Sequence, residues 1–299
     1  MQEKKRVIAL GFFDGVHLGH GALLRRVTQI AKELGAVSAA LTFDYHPKTF
    51  VGTKPVQLIN TPDDRAALMR SVYGIEDVIV LPFDRAMMEM PWDRFVTEVL
   101  AEQFSAVHVV AGHDYHFGHK GQGTPQKLKE LCAELGIGCD IIDRVELDGI
   151  TISSTHIRGL IEQGDLEEAN RFLGHPHVLS GEVLPGRQIG RTIGIPTANL
   201  IIPQRVIVPA YGVYATKVVT GQGTYSAVTN IGVRPTVEDD RGVTVEPWIL
   251  DFEGNLYGQK IEIQFYRQLR GERKFASLEE LKQEILRNGE QTRRYFDTI

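Results

Sequence analysis

Several things are scarce in this chain. Of its 299 residues two are cysteine and two are tryptophan. Cys132 and Cys139 have no matching ligand cluster around them, so they predict reduced packing residues, not a disulfide framework or a metal site. No apolar run approaches the roughly 18 residues that would span a bilayer. Met-Gln-Glu-Lys-Lys-Arg is followed by a short, mostly apolar run that ends at Asp14, too little for a secretory signal core and its cleavage site. A cytoplasmic protein with no membrane partner is the expectation. Basic excess is missing too: 33 Lys and Arg face 38 Asp and Glu, a net charge of −5. Non-specific nucleic-acid binding is thereby disfavoured. There are no internal repeats and no low-complexity segments. What remains is an ordinary globular composition, 42% hydrophobic and 24% charged, long enough for two domains.

The first half alternates strand and helix. Val7–Leu10 reads as a strand, and a helix follows from about His20 to Leu34, with Gly35 placed to end it. Ala36–Phe43, Asp77–Leu81, Ala106–Ala111 and Asp140–Val145 read as further strands. Thr61-Pro62 starts a helix that ends near Gly74, Pro91 opens one to about Phe104, and Thr124-Pro125 opens one that stops at Gly136. The strands are apolar throughout, the signature of a parallel sheet covered on both faces. Such an α/β sheet binds ligands beyond the carboxyl ends of its strands. Four informative loops fall there: Gly11–His20 (GFFDGVHLGH), Thr42–Pro47 (TFDYHP), Gly112–Gly123 (GHDYHFGHKGQG) and Ser153–Arg158 (SSTHIR).

His17 and His20 sit where a strand gives way to a helix N-terminus. Free backbone N–H groups and the helix dipole favour an anion at such a point. Gly19 lets the backbone approach it, and two imidazoles three apart lie on one side of the helix. The pattern predicts a phosphate site. His46, His113, His116 and His119 fall in the neighbouring loops. Zinc competes for such a cluster, but His-x-x-His at a helix start lacks a third and fourth ligand. Ser153-Ser154-Thr155 caps a helix whatever the function, and Arg158 one turn inside could reach a phosphate held there.

Gly164-Asp165-Leu166 starts a short helix to Leu173, and Gly174-His175-Pro176-His177 breaks it. The pattern then turns to strand only, which places the boundary at 1–178 and 179–299. Val178–Val183, Ala198–Ile202, Gly212–Thr220, Tyr225–Ile231, Thr244–Phe252 and Lys260–Phe265 predict a small six-stranded antiparallel barrel. A C-terminal helix follows, with Ser277 and Glu280 as a capping box. Within Gly186–Asn199 (GRQIGRTIGIPTAN), Gly190, Arg191 and Gly194 make either a basic glycine-rich hairpin or a phosphate loop. It is not a Walker A loop, since Gly-Lys-Ser/Thr is absent. Thr197 and Asn199, two apart on a strand, point the same way and offer hard oxygen ligands that suit Mg²⁺ beside ATP phosphates. Glu246, in the apolar strand VEPWILDF, is either paired structurally or catalytic.

His17-x-Gly19-His20 after a first strand resembles the nucleotidyltransferase superfamily. The four loops in order resemble the adenylyltransferase module of bacterial bifunctional riboflavin kinase/FAD synthetases. PTAN with VEPWILDF downstream resembles the riboflavin kinase domain, from Leu179 to the end. The resemblance implies a Rossmann-like nucleotidyltransferase domain with a parallel sheet, followed by the β-barrel kinase domain. It implies that His17 and His20 bind ATP phosphates and stabilise charge on the α-phosphate in flight. Gly11, Phe13, Asp14 and Gly15 would form the loop around the nucleotide, and Asp114 would stand near the reacting phosphates. Ser154, Thr155 and Arg158 would clamp phosphate. His46 and Pro47 would contact flavin. In the second half Thr197 and Asn199 would hold Mg²⁺–ATP, Glu246 would be general base on the ribityl hydroxyl, and Arg273 and Phe275 would close over flavin. Tyr45 stands where the family often has Pro, His156 where it often has Arg, Ile195 where Phe is usual, and Arg234 where many members have Asn. The expected substrates are riboflavin, FMN and ATP, for a monomer or weak homo-oligomer. Two rivals are a kinase with a decayed adenylyltransferase half and a non-catalytic flavin- or nucleotide-binding regulator. Intact His17, His20, Ser154, Thr155 and Arg158 oppose the first, and Glu246 opposes the second.

Overall fold

The computed structural model describes residues 4–47, 49, 56–185, 194–233 and 243–298. The chain forms two compact units that divide between Ser154 and Thr155.

The first unit is a five-stranded parallel sheet. Its strands are β1 (Arg6–Leu10), β2 (Val37–Phe43), β3 (Asp77–Leu81), β4 (Ala106–Gly112) and β5 (Gly138–Ile142), in the order β3-β2-β1-β4-β5. The fifth strand begins two residues before the sequence reading placed it. Strand residues of both parities are buried, as a doubly covered sheet requires. Ile8, Leu10, Ala39, Leu41, Val109 and Ala111 share one core with the segment around Phe95–Leu100 and with Leu128 and Cys132. Val7, Ala9, Ala40 and Val110 alternate with them and are fully buried on the other face.

Local chemistry fixes the helix ends. Helix α1 (Leu18–Leu34) stops at Gly35, whose φ of 61° is left-handed, and α2 (Pro62–Tyr73) is capped by the Thr61 side chain and stops at Gly74. Helix α3 (Arg85–Glu89) is one short turn, and α4 (Trp92–Arg94) opens the helix expected from Pro91. It then widens into a π-helix over Phe95–Gln103, closed by the Phe104 N–H on the Val99 carbonyl. Phe95, Val96, Val99 and Leu100 are the buried residues there. Winding with i→i+5 bonds keeps these two pairs, four apart, on the core face. Helix α5 (Pro125–Glu134) returns the chain to β5. Strands β6 (Glu146–Leu147) and β7 (Ile150–Thr151) form an exposed hairpin, with Asp148 and Gly149 both at positive φ in its turn.

Helix α6 (Ser154–Gln163), of which all but Ser154 belongs to the second unit, leads to α7 (Leu166–Leu173), capped by the Asp165 side chain. A closed barrel follows: β8 (His177–Leu184), β9 (Asn199–Leu200), β10 (Gly212–Thr220), β11 (Gly223–Val233), β12 (Val243–Ile249) and β13 (Lys260–Gly271). Leu179, Val183, Leu200, Tyr214, Val218, Ile231, Val245, Ile261, Ile263 and Phe265 fill its core. Helix α8 (Leu278–Phe296) covers part of the outer face, where Trp248 lies against Gly289. Ser277 caps it through the Glu280 N–H, but the Glu280 carboxylate reaches back to the Ala276 N–H, one residue beyond the expected capping-box partner.

His177 has no exposed surface, and neither ring nitrogen finds a hydrogen-bond partner among the described residues. Burial, helped by nearby His175, depresses its pKa from 6.5 to about 3. The unfolded chain therefore takes up a proton below pH 6.5 that the folded barrel refuses until about pH 3. Stability is full above the upper value and falls on acidification, by about 1.4 kcal/mol per pH unit in that window. Denaturant unfolding of the whole chain carrying Trp92→Phe, so that fluorescence reports Trp248, should show His177→Leu escaping about 2 kcal/mol of the loss between pH 7 and pH 5.

Candidate active sites

β1 lies between β2 and β4, with Leu10 level with Leu41 and Ala111. From β1 the chain builds outward through β2 to β3, then returns to the other side for β4. The switch point thus lies between β1 and β4. Gly11–His20, Asp44–Pro47 and the loop after Gly112 all leave the sheet at this carboxyl edge, which gathers three of the four motif loops by register alone.

The turn after β1 is tightly wound. Phe13, Gly15 and Val16 have φ of 60°, 80° and 45°, left-handed values that a phenylalanine and a β-branched valine rarely take. Phe13 is buried, and Asp14, 2% exposed, accepts the Ile59 N–H at 2.8 Å. The Asp14 carbonyl takes the Ser154 hydroxyl at 2.9 Å. So the first serine of α6 braces the turn from within the first unit. Arg158 is half-buried in α6, in the second unit, beyond the exposed Thr155.

His17 is the N-cap of α1, which begins at Leu18 rather than near His20. Its Nδ1 accepts the His20 N–H at 3.3 Å. That bond leaves Nε2 as the protonated nitrogen of a neutral His17 ring. The two imidazoles stack, with centroids 3.6 Å apart and planes 13° from parallel. A Cβ on Gly19 would lie 3.1 Å from the His17 ring, so glycine keeps that ring in place. His20 Nδ1 has no hydrogen-bond partner among the described residues. Burial first, then the His17 ring and the Arg65 cation, hold the His20 pKa well below 6.5. A neutral His20 imidazole thus stands at a positive helix end, a place where an anion is favoured.

His46 meets the Phe12 ring edge-on at 4.5 Å, and Pro47 follows in a turn. Asp114 is exposed, just past β4. Gly11 leads into the turn, where a Cβ would crowd the Phe13 ring at 3.0 Å. The sequence reading did not single out Arg65. It shares a buried helical stripe with Met69 and Tyr73, and a charge on such a stripe is the signal that could have found it.

In the second unit, Gly190 and Arg191 lie outside the described residues, as does Arg234. Gly194 is exposed, with φ of 78°. Leu200 pairs with Val245, and the Ala198 N–H donates to the Pro247 carbonyl at 3.0 Å. That antiparallel register sets Asn199 opposite Glu246, and Glu246 pairs with Asn230 across β11. Leu200, Val245 and Ile249 point into the barrel, so the alternate residues Thr197, Asn199 and Glu246 share its outer face. Sequence reasoning missed Asn230, although a polar residue in an apolar strand was the same signal as Glu246. Thr197 also lines a cavity of about 90 Å³ with Val183, Pro247, Phe252 and Tyr257. Arg273 pairs with Glu280 at 2.8 Å and lies 5.3 Å from the Phe275 ring centre, with Arg270 at 5.4 Å from the same ring.

Because His17 caps α1 through its own ring, His17→Ala should lower stability by about 1 kcal/mol even without substrate. Thermal or denaturant unfolding of the apo chain measures it, and an unchanged midpoint would show that the ring does not cap the helix.

Two family models tile the chain: FAD synthetase over residues 1–156 and riboflavin kinase over residues 173–296. The bifunctional riboflavin kinase/FMN adenylyltransferase of Listeria monocytogenes is 38% identical, the match covering 97% of this chain and 92% of that protein. The Bacillus subtilis protein of the same name is 35% identical, with 100% and 95% covered. A Streptococcus pneumoniae crystal structure described as a macrolide-efflux protein is 30% identical, with a TM-score of 0.84 over 98% of this chain and 95% of that one. Among the described residues no helix is long and apolar enough to cross a membrane. With both halves matched in order and relatives aligned along nearly the whole length, the chain belongs to the bifunctional riboflavin kinase/FMN adenylyltransferase family.

Proposed function

We propose that each half works at the phosphate-handling face its own fold builds, with the domain boundary at 1–178 and 179–299. The C-terminal domain phosphorylates riboflavin with ATP to give FMN. The N-terminal domain transfers AMP from a second ATP to FMN, giving FAD and pyrophosphate. The observation that carries this is the stacked His17–His20 pair at the capped N-terminus of α1, at the switch point of a parallel sheet.

In the N-terminal domain an FMN phosphate oxygen attacks the α-phosphorus of ATP and pyrophosphate leaves. The attacking phosphate is already ionised, so no side-chain nucleophile or base is needed. Catalysis then rests on position and on charge stabilisation. His17 and His20 donate to phosphate oxygens, and arriving negative charge raises their proton affinity as it does so. Gly11, Phe13, Asp14, Gly15 and Gly19 shape the turn around the nucleotide. Asp114 stands by the reacting phosphates, Ser154, Thr155 and Arg158 hold phosphate, and His46 and Pro47 meet flavin.

In the C-terminal domain the terminal ribityl hydroxyl attacks the γ-phosphorus, its proton passes to Glu246, and ADP leaves. Thr197 and Asn199 fit Mg²⁺, since both offer neutral hard oxygens on the face that carries Glu246. When bound, the ion neutralises charge on the ATP phosphates. Gly190, Arg191 and Gly194 belong to the ATP loop, and Arg273 with Phe275 closes over the flavin. We further infer a cytoplasmic monomer or weak homo-oligomer that binds neither nucleic acid nor membrane.

Riboflavin, ATP and Mg²⁺ incubated with the purified chain should yield FMN and then FAD on chromatography. FMN alone would leave a kinase with a silent first half, and neither product would leave a binding protein. His20→Ala should halt the sequence at FMN. Glu246→Ala should make no FMN, yet still convert supplied FMN to FAD. Loss of both steps in either variant contradicts independent sites.

A further inference from the structure

Arg65 has no exposed surface, and no step above uses it. It stands in the first turn of α2 beneath the carboxyl edge of the sheet. Its Nη2 donates to the carbonyl of Phe43, the last residue of β2, at 2.6 Å. Its guanidinium carbon lies 4.2 Å from the centre of the Phe12 ring. His46 meets that same ring from its own loop at 4.5 Å, and the Phe12 carbonyl accepts the Thr42 hydroxyl at 2.8 Å. Nε and Nη1 have no hydrogen-bond partner among the described residues.

A buried cation with two idle donors is a poor choice for stability alone, because an apolar side chain of similar volume costs less to bury. Burial does depress the Arg65 pKa, to about 10, while Asp14 and Asp44 pull it upward. It stays charged at neutral pH. One guanidinium thus touches the residue after Gly11, the end of β2 and, through Phe12, the His46 loop. That position joins the loops read above as nucleotide and flavin contacts.

We propose that Arg65 is a positioning residue for FMN adenylylation: clamped between the Phe43 carbonyl and the Phe12 ring, it locks the Gly11–His20 turn to the His46 loop and fixes a positive charge behind His20. The proposal rests on reading His17–His20 as the adenylyl-transfer site. His20 is faced by His17 from its own helix and by Arg65 from α2, and Arg65 is faced by Asp14 and Asp44. Further along α2, the Tyr73 hydroxyl lies against Gly21, with Arg25 5.3 Å from the Tyr73 ring centre. Removing the Arg65 charge lets His20 take up a proton more readily, so the acid limb of the adenylylation rate moves to higher pH.

The test uses the full chain with FMN, ATP and Mg²⁺, and riboflavin phosphorylation by the same preparation as the internal control. Arg65→Met should lower kcat for FAD formation about tenfold or more and raise the acid limb, with riboflavin phosphorylation within about twofold of wild type. Arg65→Lys should restore the acid limb and only part of kcat, since it returns the charge without the planar fork. Wild-type FAD formation by Arg65→Met overturns the proposal. So does an equal loss in both variants with the acid limb unmoved, which marks packing alone. If Arg65→Met does not fold, Arg65→Lys is combined with Phe12→Leu: a combined loss smaller than the product of the two single losses supports the clamp, and independent losses overturn it. If the wild-type chain makes no FAD from FMN, the adenylyl-site reading falls first and the proposal falls with it.

Discussion

The N-terminal half depends on one electrostatic constraint: a helix end that favours anions, where burial keeps the His20 imidazole neutral. His17 spends its Nδ1 lone pair on the cap of α1, and His20 is stacked on it under the influence of Arg65. Two protonated rings at 3.6 Å would repel each other. The depressed proton affinity of His20 relieves that repulsion and leaves its ring a polar edge. The strained turn before them, with Phe13 and Val16 at left-handed φ, is held by the buried Asp14 and by Ser154. Strain of this kind persists only where the surroundings over-determine it, and here they do.

The barrel meets a different constraint. A closed six-stranded sheet has no free edge and a filled interior, so polar chemistry must stand on its outer face. Strand alternation sends Val245 and Ile249 inward and turns Glu246 outward. Register then decides its neighbours, Asn199 on one side and Asn230 on the other. Slipping β12 by one residue would bury the carboxylate in the apolar core, which the desolvation of a charge forbids. The apolar packing that holds the register therefore also places the proposed base. Helix α8 closes a neighbouring part of that face over Trp248 and leaves Glu246 outside the barrel interior.

Most of the architecture was legible because its signals are local. Thr61-Pro62, Gly35, Gly74, Thr124-Pro125 and Ser277 act as caps and stops through their own side chains or their lack of one, and each behaves so in the structure. Five apolar runs became five parallel strands, and six further runs became the barrel. The misses share a cause. The winding of Phe95–Gln103 into a π-helix answers to the core it packs on, and the Glu280 carboxylate found the Ala276 N–H through the approach of the chain to α8. Arg65 was not singled out, since a charge on a helix is usually at the surface. Its burial depends on Phe12, Phe43, Asp14 and Asp44, which are distant in sequence.

The sequence by itself determined most of the elements, the caps and glycines that end the helices, and the short motifs proposed to carry phosphate and metal chemistry, since these rest on backbone sterics, capping and side-chain type. The tertiary structure decided what those motifs share. Sheet order gathered the Gly11–His20, Asp44–Pro47 and post-Gly112 loops at one edge, and barrel register set Asn199 beside Glu246. Burial, which no local pattern reports, made His20 neutral and brought a buried cation behind it. A pKa depends on how much water and which charges the whole fold leaves around a group, and that sum exists only once the chain is folded.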